Sequence, residues 1–365
     1  MISFEPTEEQ ELVRSTVRDL AAEALRPLAR DADEESAIPA DFLRSTWQLG
    51  LVSSQIPEAF GGGGATRSPT TGVLLLEELA AGDAALALAA LAPSLFAMTL
   101  VDHGTAKQQE RYLPQLCGAE FHAASVAIVE PRPAFDAQNL QTTAESRGSA
   151  WVLNGVKSFV PYGGEASHFV VVARDPDGKP AAFVVPREAH GVSVAGPEPT
   201  LGLRALPFAR LELKNVEVPQ DDRLGGASGF DYARLLNCSR VGIAAALVGL
   251  SRAVMEYTIP YAKERVAFGE AIAQKQAIAF MLSDMAIETD AMRWLVWKAA
   301  AELEAGRDAT RATHLMRGYV SGQAMKIADN GIQVLGGHGF IREHPVELWY
   351  RHARTLGVLE GTAAV

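Results

Sequence analysis

Cysteine is scarce in this chain: Cys117 and Cys238 are the only two in 365 residues. Two thiols cannot build a disulfide framework or a thiolate cluster, and a cytosolic compartment fits. Positive charge is also short, with 33 Lys and Arg against 44 Asp and Glu and a net charge of −11. A nucleic-acid backbone needs a basic face, so nucleic acid is not an expected partner. A local basic pocket for a phosphorylated ligand stays compatible with that balance. The longest apolar stretch, Ala84–Leu100, is Ala-rich and carries Pro93, so it reads as a buried helix and no membrane partner is expected. The eight histidines show no metal-ligand spacing, and no Ser-His-Asp arrangement can be argued. Residues 1–20 are charged and amphipathic, without the apolar core of a targeting signal. No repeat and no low-complexity tract is found.

What is present is ample core material, 48% hydrophobic residues, enough for two or three domains. Residues 1–120 read as helical. Thr7 with Gln10 resembles a capping box, and Leu12, Val13, Val17, Leu20, Ala24 and Leu25 follow at helical spacing. Pro57-Glu58-Ala59-Phe60 and the four glycines after it form a loop. Residues 121–228 change character. Short β-branched runs (Ser125–Val129, Trp151–Leu153, Phe169–Ala173, Ala182–Val185, Val192–Val194, Arg210–Leu213) alternate with turn signals at Leu153–Val156 and Asp175–Gly178, predicting antiparallel hairpins in a barrel or sandwich. Residues 229–365 return to long helices, over Arg240–Arg265, Gln274–Glu304 and Ala309–Leu335, with short breaks, as in a four-helix bundle. The expected class is α+β multidomain: helical domain, β domain, helical bundle.

Glu360 stands between an apolar run and a Gly361-Thr362 turn. A lone Glu is commonly a surface charge. A carboxylate among apolar neighbours can also have its pKa raised and act as a general base. Upstream lie Gln333-Val334-Leu335-Gly336-Gly337-His338-Gly339-Phe340 and Arg265-Val266-Ala267-Phe268-Gly269, then Gln276. A glycine pair alone more often just ends a helix. An arginine beside such glycines suits a pyrophosphate, through bidentate donation and close backbone approach. Arg240 alone reads as a surface arginine or a core ion pair, and Trp294 and Trp297 as packing.

In this order and spacing the segments resemble the acyl-CoA dehydrogenase family over essentially the whole chain. Phe4–Gln10, Pro57–Gly63 and Asn215–Pro219 are similar to its opening helix, its Pro-Glu-Xaa-Tyr-Gly-Gly loop and its closing strand. The resemblance implies an FAD enzyme that desaturates acyl-CoA thioesters and passes electrons to an electron-transfer flavoprotein. Glu360 would take the α-proton while flavin N5 takes the β-hydride. Arg240, Phe135 and Gly361 would meet substrate. Arg265, Phe268, Gln276, Gln333, Gly336 and Gly337 would hold the FAD of a neighbouring subunit, and Val129, Phe159, Pro161 and Thr362 would lie at the flavin. Some relatives place the base before an arginine on the first bundle helix; here that position is Ser239, which cannot replace a carboxylate.

Three departures stand out. The family's Thr-Glu-Pro-Gly-Xaa-Gly-Ser-Asp reads Val129-Glu130-Pro131-Arg132-Pro133-Ala134-Phe135-Asp136, losing two hydroxyls and two glycines. Its Trp-Ile-Thr reads Phe159-Val160-Pro161, losing a hydroxyl and an N–H. Its chain typically continues past Gly-Thr into a further helix, whereas Val365 is last here, leaving a naturally short protein or a truncated chain both open. Two outcomes are compatible with these losses. One is an active homotetrameric dehydrogenase for an unusual acyl group. The other is a partner subunit of a heterotetramer that completes a homologous neighbour's FAD site. A flavin oxidase or monooxygenase on the same fold is a further rival, mildly disfavoured by retention of Glu360.

Overall fold

The computed structural model describes residues 6–64, 67–226 and 229–365. Phe4 and Glu5 of the opening motif, and the expected junction at 228, lie outside the described residues. The first helix, α1 (Glu8–Leu20), starts as its sequence dictates. The Thr7 hydroxyl accepts from the Gln10 N–H at 3.2 Å, and the Gln10 side chain accepts from the Thr7 N–H at 3.0 Å. A π-helical turn (Ala21–Leu25) leads into α2 (Arg26–Glu35), then α3 (Ala40–Gln48). Asp83 divides the next apolar stretch into α4 (Pro69–Gly82) and α5 (Ala84–His103), and its carboxylate caps α5 by accepting from the Leu86 N–H at 2.9 Å. A short α6 (Ala106–Tyr112) closes the helical part.

Seven strands follow: β1 (Ala124–Ala127), β2 (Thr143–Arg147), β3 (Ala150–Pro161), β4 (His168–Arg174), β5 (Pro180–Pro186), β6 (Val192–Pro197) and β7 (Phe208–Pro219). They form one sheet in the order β1-β4-β2-β3-β7-β6, with β5 on β4. The strand period of two sorts the side chains of β4. Val170 and Val172 join the helical core, while Phe169, Val171 and Ala173 join a second core with Trp151, Phe183 and Leu211. Two expectations need correction. β1 pairs with β4 in parallel, so the sheet is mixed, and Leu153–Val156 is a bulge inside β3, not a turn. β2 escapes a sequence reading because it is polar and mostly exposed (Thr143-Ala144-Glu145-Ser146-Arg147).

The last part holds α7 (Tyr232–Glu264), α8 (Gln276–Glu304), α9 (Thr310–Leu335) and α10 (Val346–Leu356). α7 begins eight residues before the predicted Arg240, capped by Asp231. α5 and α7 are long and apolar enough to cross a membrane, but 89% and 83% of those windows lie buried inside the protein. A two-residue hairpin, β8 (Val266–Ala267) with β9 (Glu270–Ala271), turns through Phe268 (φ +57°) and Gly269 (φ +88°).

Buried ion pairs lock α4 to the bundle. Gly249 lets α7 touch α4, since a Cβ there would sit 2.1 Å from the Glu77 carbonyl oxygen. Beside this crossing Glu78 accepts from Arg252 of α7 at 2.9 Å and from Arg18 of α1 at 2.9 and 3.1 Å. Glu77 accepts from Arg293 of α8 at 2.8 Å. Burial pushes the Glu78 carboxyl up, but hydrogen bonds from Arg252 and Arg18 outweigh it and bring the pKa to about 2. A folded pKa below the ordinary 4.5 means that this contribution is full above pH 4.5 and fades as pH falls toward 2. Glu78→Ala leaves two guanidiniums without their shared partner, so chemical denaturation at pH 7 is expected to show a loss of about 3–5 kcal/mol. The gap from wild type should narrow as the pH is lowered.

Candidate active site

The β domain and the bundle enclose one large pocket of about 980 Å³. Its walls come from loop 129–137, Phe159, loop 199–201, Arg240 of α7, Arg317 of α9, and the segment from Arg354 to Glu360. Glu360 is buried (5% exposed) on the irregular stretch that follows α10. Its surroundings are not the apolar ones expected. Arg240 donates to it through Nη2 at 2.8 Å and through Nε at 3.2 Å to both oxygens, and Arg317 Nη1 meets the same Oε1. Next to it Gly361 takes the left-handed region (φ +71°) and donates its N–H to Ser239 Oγ at 2.9 Å. Ser239 is therefore a structural acceptor that fixes the Glu360 loop.

The wall at 199–201 is held by all three parts of the chain. Gly202 and Leu203 donate their N–H groups to Thr355 Oγ1 and His352 Nδ1, both at 2.9 Å. Because Nδ1 accepts, the His352 hydrogen sits on Nε2 and points at Asp83 Oδ2, 3.2 Å away. Arg351 adds bidentate bonds to Asp33 at 2.7 and 2.9 Å. Gly202 is required here, since a Cβ would lie 2.2 Å from the Arg351 carbonyl oxygen.

Loop 129–137 is tied from beneath. Glu130 accepts from the Gln141 and Thr142 N–H groups, both at 2.8 Å, and from Lys157 Nζ at 3.1 Å. Lys157 is fully buried and also donates to the Ile128 carbonyl at 3.0 Å. The Arg132 guanidinium lies over the Phe135 ring, 5.5 Å from its centroid, and Tyr232 Oη donates to the Ala137 carbonyl at 2.8 Å. Phe159 takes a left-handed conformation (φ +51°), and its N–H is engaged by Glu198 at 2.6 Å.

The structure thus brings Glu360, Arg240, Phe135, Val129 and Phe159 together around one pocket. Pro161, Gly361 and Thr362 are buried behind its lining. The Thr362 hydroxyl has no hydrogen-bond partner among the described residues. Arg265, Phe268, Gln276, Gln333, Gly336 and Gly337 do not line it; they lie exposed at the hairpin end of the bundle. Phe268 is 95% exposed despite its left-handed backbone, a combination that fits waiting for a ligand or neighbour. Sequence reasoning missed Arg317, Arg354, Glu198 and Lys157. Arg317 carries no local signal, since an arginine between Met316 and Gly318 on an amphipathic helix looks like a surface residue. Lys157 carries no clean signal either, because the bulge in β3 breaks the two-residue period ahead of it and Ser158 next to it is buried as well.

Burial pulls the Lys157 pKa from 10.5 down to about 8, against the pull of Glu130. Between those values the unfolded chain binds more protons at this site, so stability rises with pH there. Denaturation curves at pH 7 and pH 9 should show wild type gaining stability relative to Lys157→Met at the higher pH.

Three family profiles match the chain: "Acyl-CoA dehydrogenase, N-terminal domain" over residues 7–120, "middle domain" over 125–216, and "C-terminal domain" over 227–365. A Bacillus subtilis protein named acyl-CoA dehydrogenase is 33% identical over 363 residues, covering 98% of this chain and 95% of that protein. A Clostridium sporogenes 3-(aryl)acrylate reductase is 30% identical over 366 residues, covering 98% and 96%. The solved butyryl-CoA dehydrogenase of Megasphaera elsdenii superposes with a TM-score of 0.90 at 28% identity, covering 99% of this chain and 96% of that one. The chain belongs to the acyl-CoA dehydrogenase family, FAD-dependent oxidoreductases that act on CH–CH bonds.

Proposed function

We propose that this chain desaturates the Cα–Cβ bond of an acyl-CoA thioester, with Glu360 as the α-proton base. The observation that carries this reading is a buried carboxylate in the wall of a pocket large enough for an acyl-pantetheine end. Arg240 and Arg317 hold that carboxylate in one place, and the Gly361–Ser239 bond holds the backbone that bears it. Positioning of this kind converts a collision into an intramolecular proton transfer. The Glu360 backbone N–H is the proposed donor to the thioester carbonyl as enolate charge develops.

When bound, FAD supplies the acceptor for the β-hydride. Val129 and Phe159 offer it apolar and backbone contact, and the Thr362 hydroxyl, just behind the lining and without a partner among the described residues, offers a hydrogen bond. Arg265 suits the pyrophosphate and Phe268 the adenine end, reached from a neighbouring subunit with Gln276, Gln333, Gly336 and Gly337. An electron-transfer flavoprotein is the proposed acceptor. Association into a tetramer is supported by an apolar stripe on α8, where Phe280, Ile287 and Trp294 recur every seven residues at 60%, 66% and 50% exposure.

A second reading has its own observation. Glu198 occupies the Phe159 N–H and the Ser158 hydroxyl, and Pro161 has no N–H to give. The chain's own flavin contacts are thinned, while the exposed Arg265 and Phe268 end is intact. That combination suits a subunit that completes a homologous chain's FAD site.

Glu360→Gln keeps shape and removes the base, so turnover of the accepted acyl-CoA should fall by about 10²–10⁴-fold with flavin content unchanged. Undiminished turnover would reject Glu360. Flavin stoichiometry and native mass of the chain produced alone separate the two assemblies. One FAD per chain in a tetramer supports the first reading, and colourless protein that gains flavin on coexpression with a homologous chain supports the second.

A further inference from the structure

Given the acyl-CoA reading above, on which this step rests, we infer that the acyl group is short and ends in a carboxylate, and that Arg317 selects it. The starting point is a charge imbalance at Glu360. One carboxylate faces two guanidiniums, and Arg240 alone already makes three contacts with it. Arg317 meets it through Nη1 at Oε1. Its side chain is 34% exposed, and no second anion is paired with it among the described residues. Burial and the neighbouring Arg240 both act against its charge, with Glu360 as the counterweight. The pocket lining as a whole repeats the pattern: four arginines (Arg132, Arg240, Arg317, Arg354) face three carboxylates (Glu130, Asp136, Glu360). Glu130 is moreover neutralised from behind by Lys157. A half-buried surplus cation is costly unless a ligand completes it.

The position of the surplus defines the ligand. Arg240 and Arg317 line both the large pocket and a small adjoining cavity of about 10 Å³, shared with Ile243, Leu247, Ser321 and Leu356. That inner space holds roughly one water molecule. The two guanidiniums are therefore a floor, and an aliphatic tail has nowhere to continue past them. The substrate α-carbon must approach Glu360, and Arg317 is in contact with Glu360 itself. A group one or two carbons beyond Cβ lies roughly 3–4 Å further along the chain, within reach of Arg317. A carboxylate there makes two guanidiniums and two carboxylates, a balanced set. It also offers the planar bidentate acceptor that a guanidinium matches best. The phosphates of the CoA end are met elsewhere, since Arg354 is the exposed lining arginine. Four- and five-carbon dicarboxylic monothioesters fit these conditions, and long fatty acyl groups do not.

Isothermal titration of the purified protein with glutaryl-CoA, pentanoyl-CoA and octanoyl-CoA tests this directly. The first two match in length and differ by one charge. Wild type should bind glutaryl-CoA at least about tenfold tighter than pentanoyl-CoA, the worth of one charge-assisted hydrogen bond, and octanoyl-CoA weakest. In Arg317→Met that ratio should fall toward one, with Arg317→Lys in between. Equal affinity for glutaryl and pentanoyl thioesters in wild type, a preference for octanoyl-CoA, or a ratio unchanged in Arg317→Met would overturn the inference and leave the acyl-CoA reading standing. Binding of none of the three would overturn both. The wild-type panel needs no variant, so a poorly folding substitution cannot mask the result.

Discussion

A carboxylate held by two guanidiniums organises this site. Glu360 meets Arg240 from α7 and Arg317 from α9, so two long bundle helices converge on one residue of an irregular loop. A loop is a poor support for a catalytic group, because few of its backbone bonds are internal. Here the ion pairs from the helices and the Gly361–Ser239 bond supply the missing rigidity. Losing Glu360 would leave both guanidiniums without the partner they share.

The opposite wall is held in the same manner, by buried polar contacts between separate parts of the chain. Asp83 from the helical part, Leu203 from the β-domain loop and His352 from α10 meet in one chain of hydrogen bonds. Beneath it Arg351 ties α10 to Asp33 of α2. Glu78 does the corresponding work between α1, α4 and α7. The pocket is thus a seam between the β domain and the bundle, braced from behind by Asp83 and Asp33 of the helical part.

Much of this was legible in the sequence, for reasons that can be traced to residues. The capping box at Thr7, the buried run from Ala84 and the long bundle helices depend on local periodicity, and they appear close to where that periodicity places them, apart from the earlier start of α7. Glu360, Arg240 and Phe135, singled out by the family resemblance, lie together in the pocket lining. Arg317 and Glu198 were not, because each acquires its role from a contact across the fold: Arg317 with Glu360, 43 positions on, and Glu198 with Phe159. The parallel pairing of β1 with β4 failed for the same reason, whereas β2 was missed because its residues are polar and mostly exposed, although its partner β3 is the next strand.

The central claim is that Glu360 is the group that removes a proton from the substrate α-carbon. Solvent deuterium entry at Cα, followed by proton NMR under anaerobic conditions, reads that step alone. The FAD-loaded protein should exchange the α-protons of a bound acyl-CoA, and Glu360→Gln should not. Equal exchange in the two proteins would contradict the account.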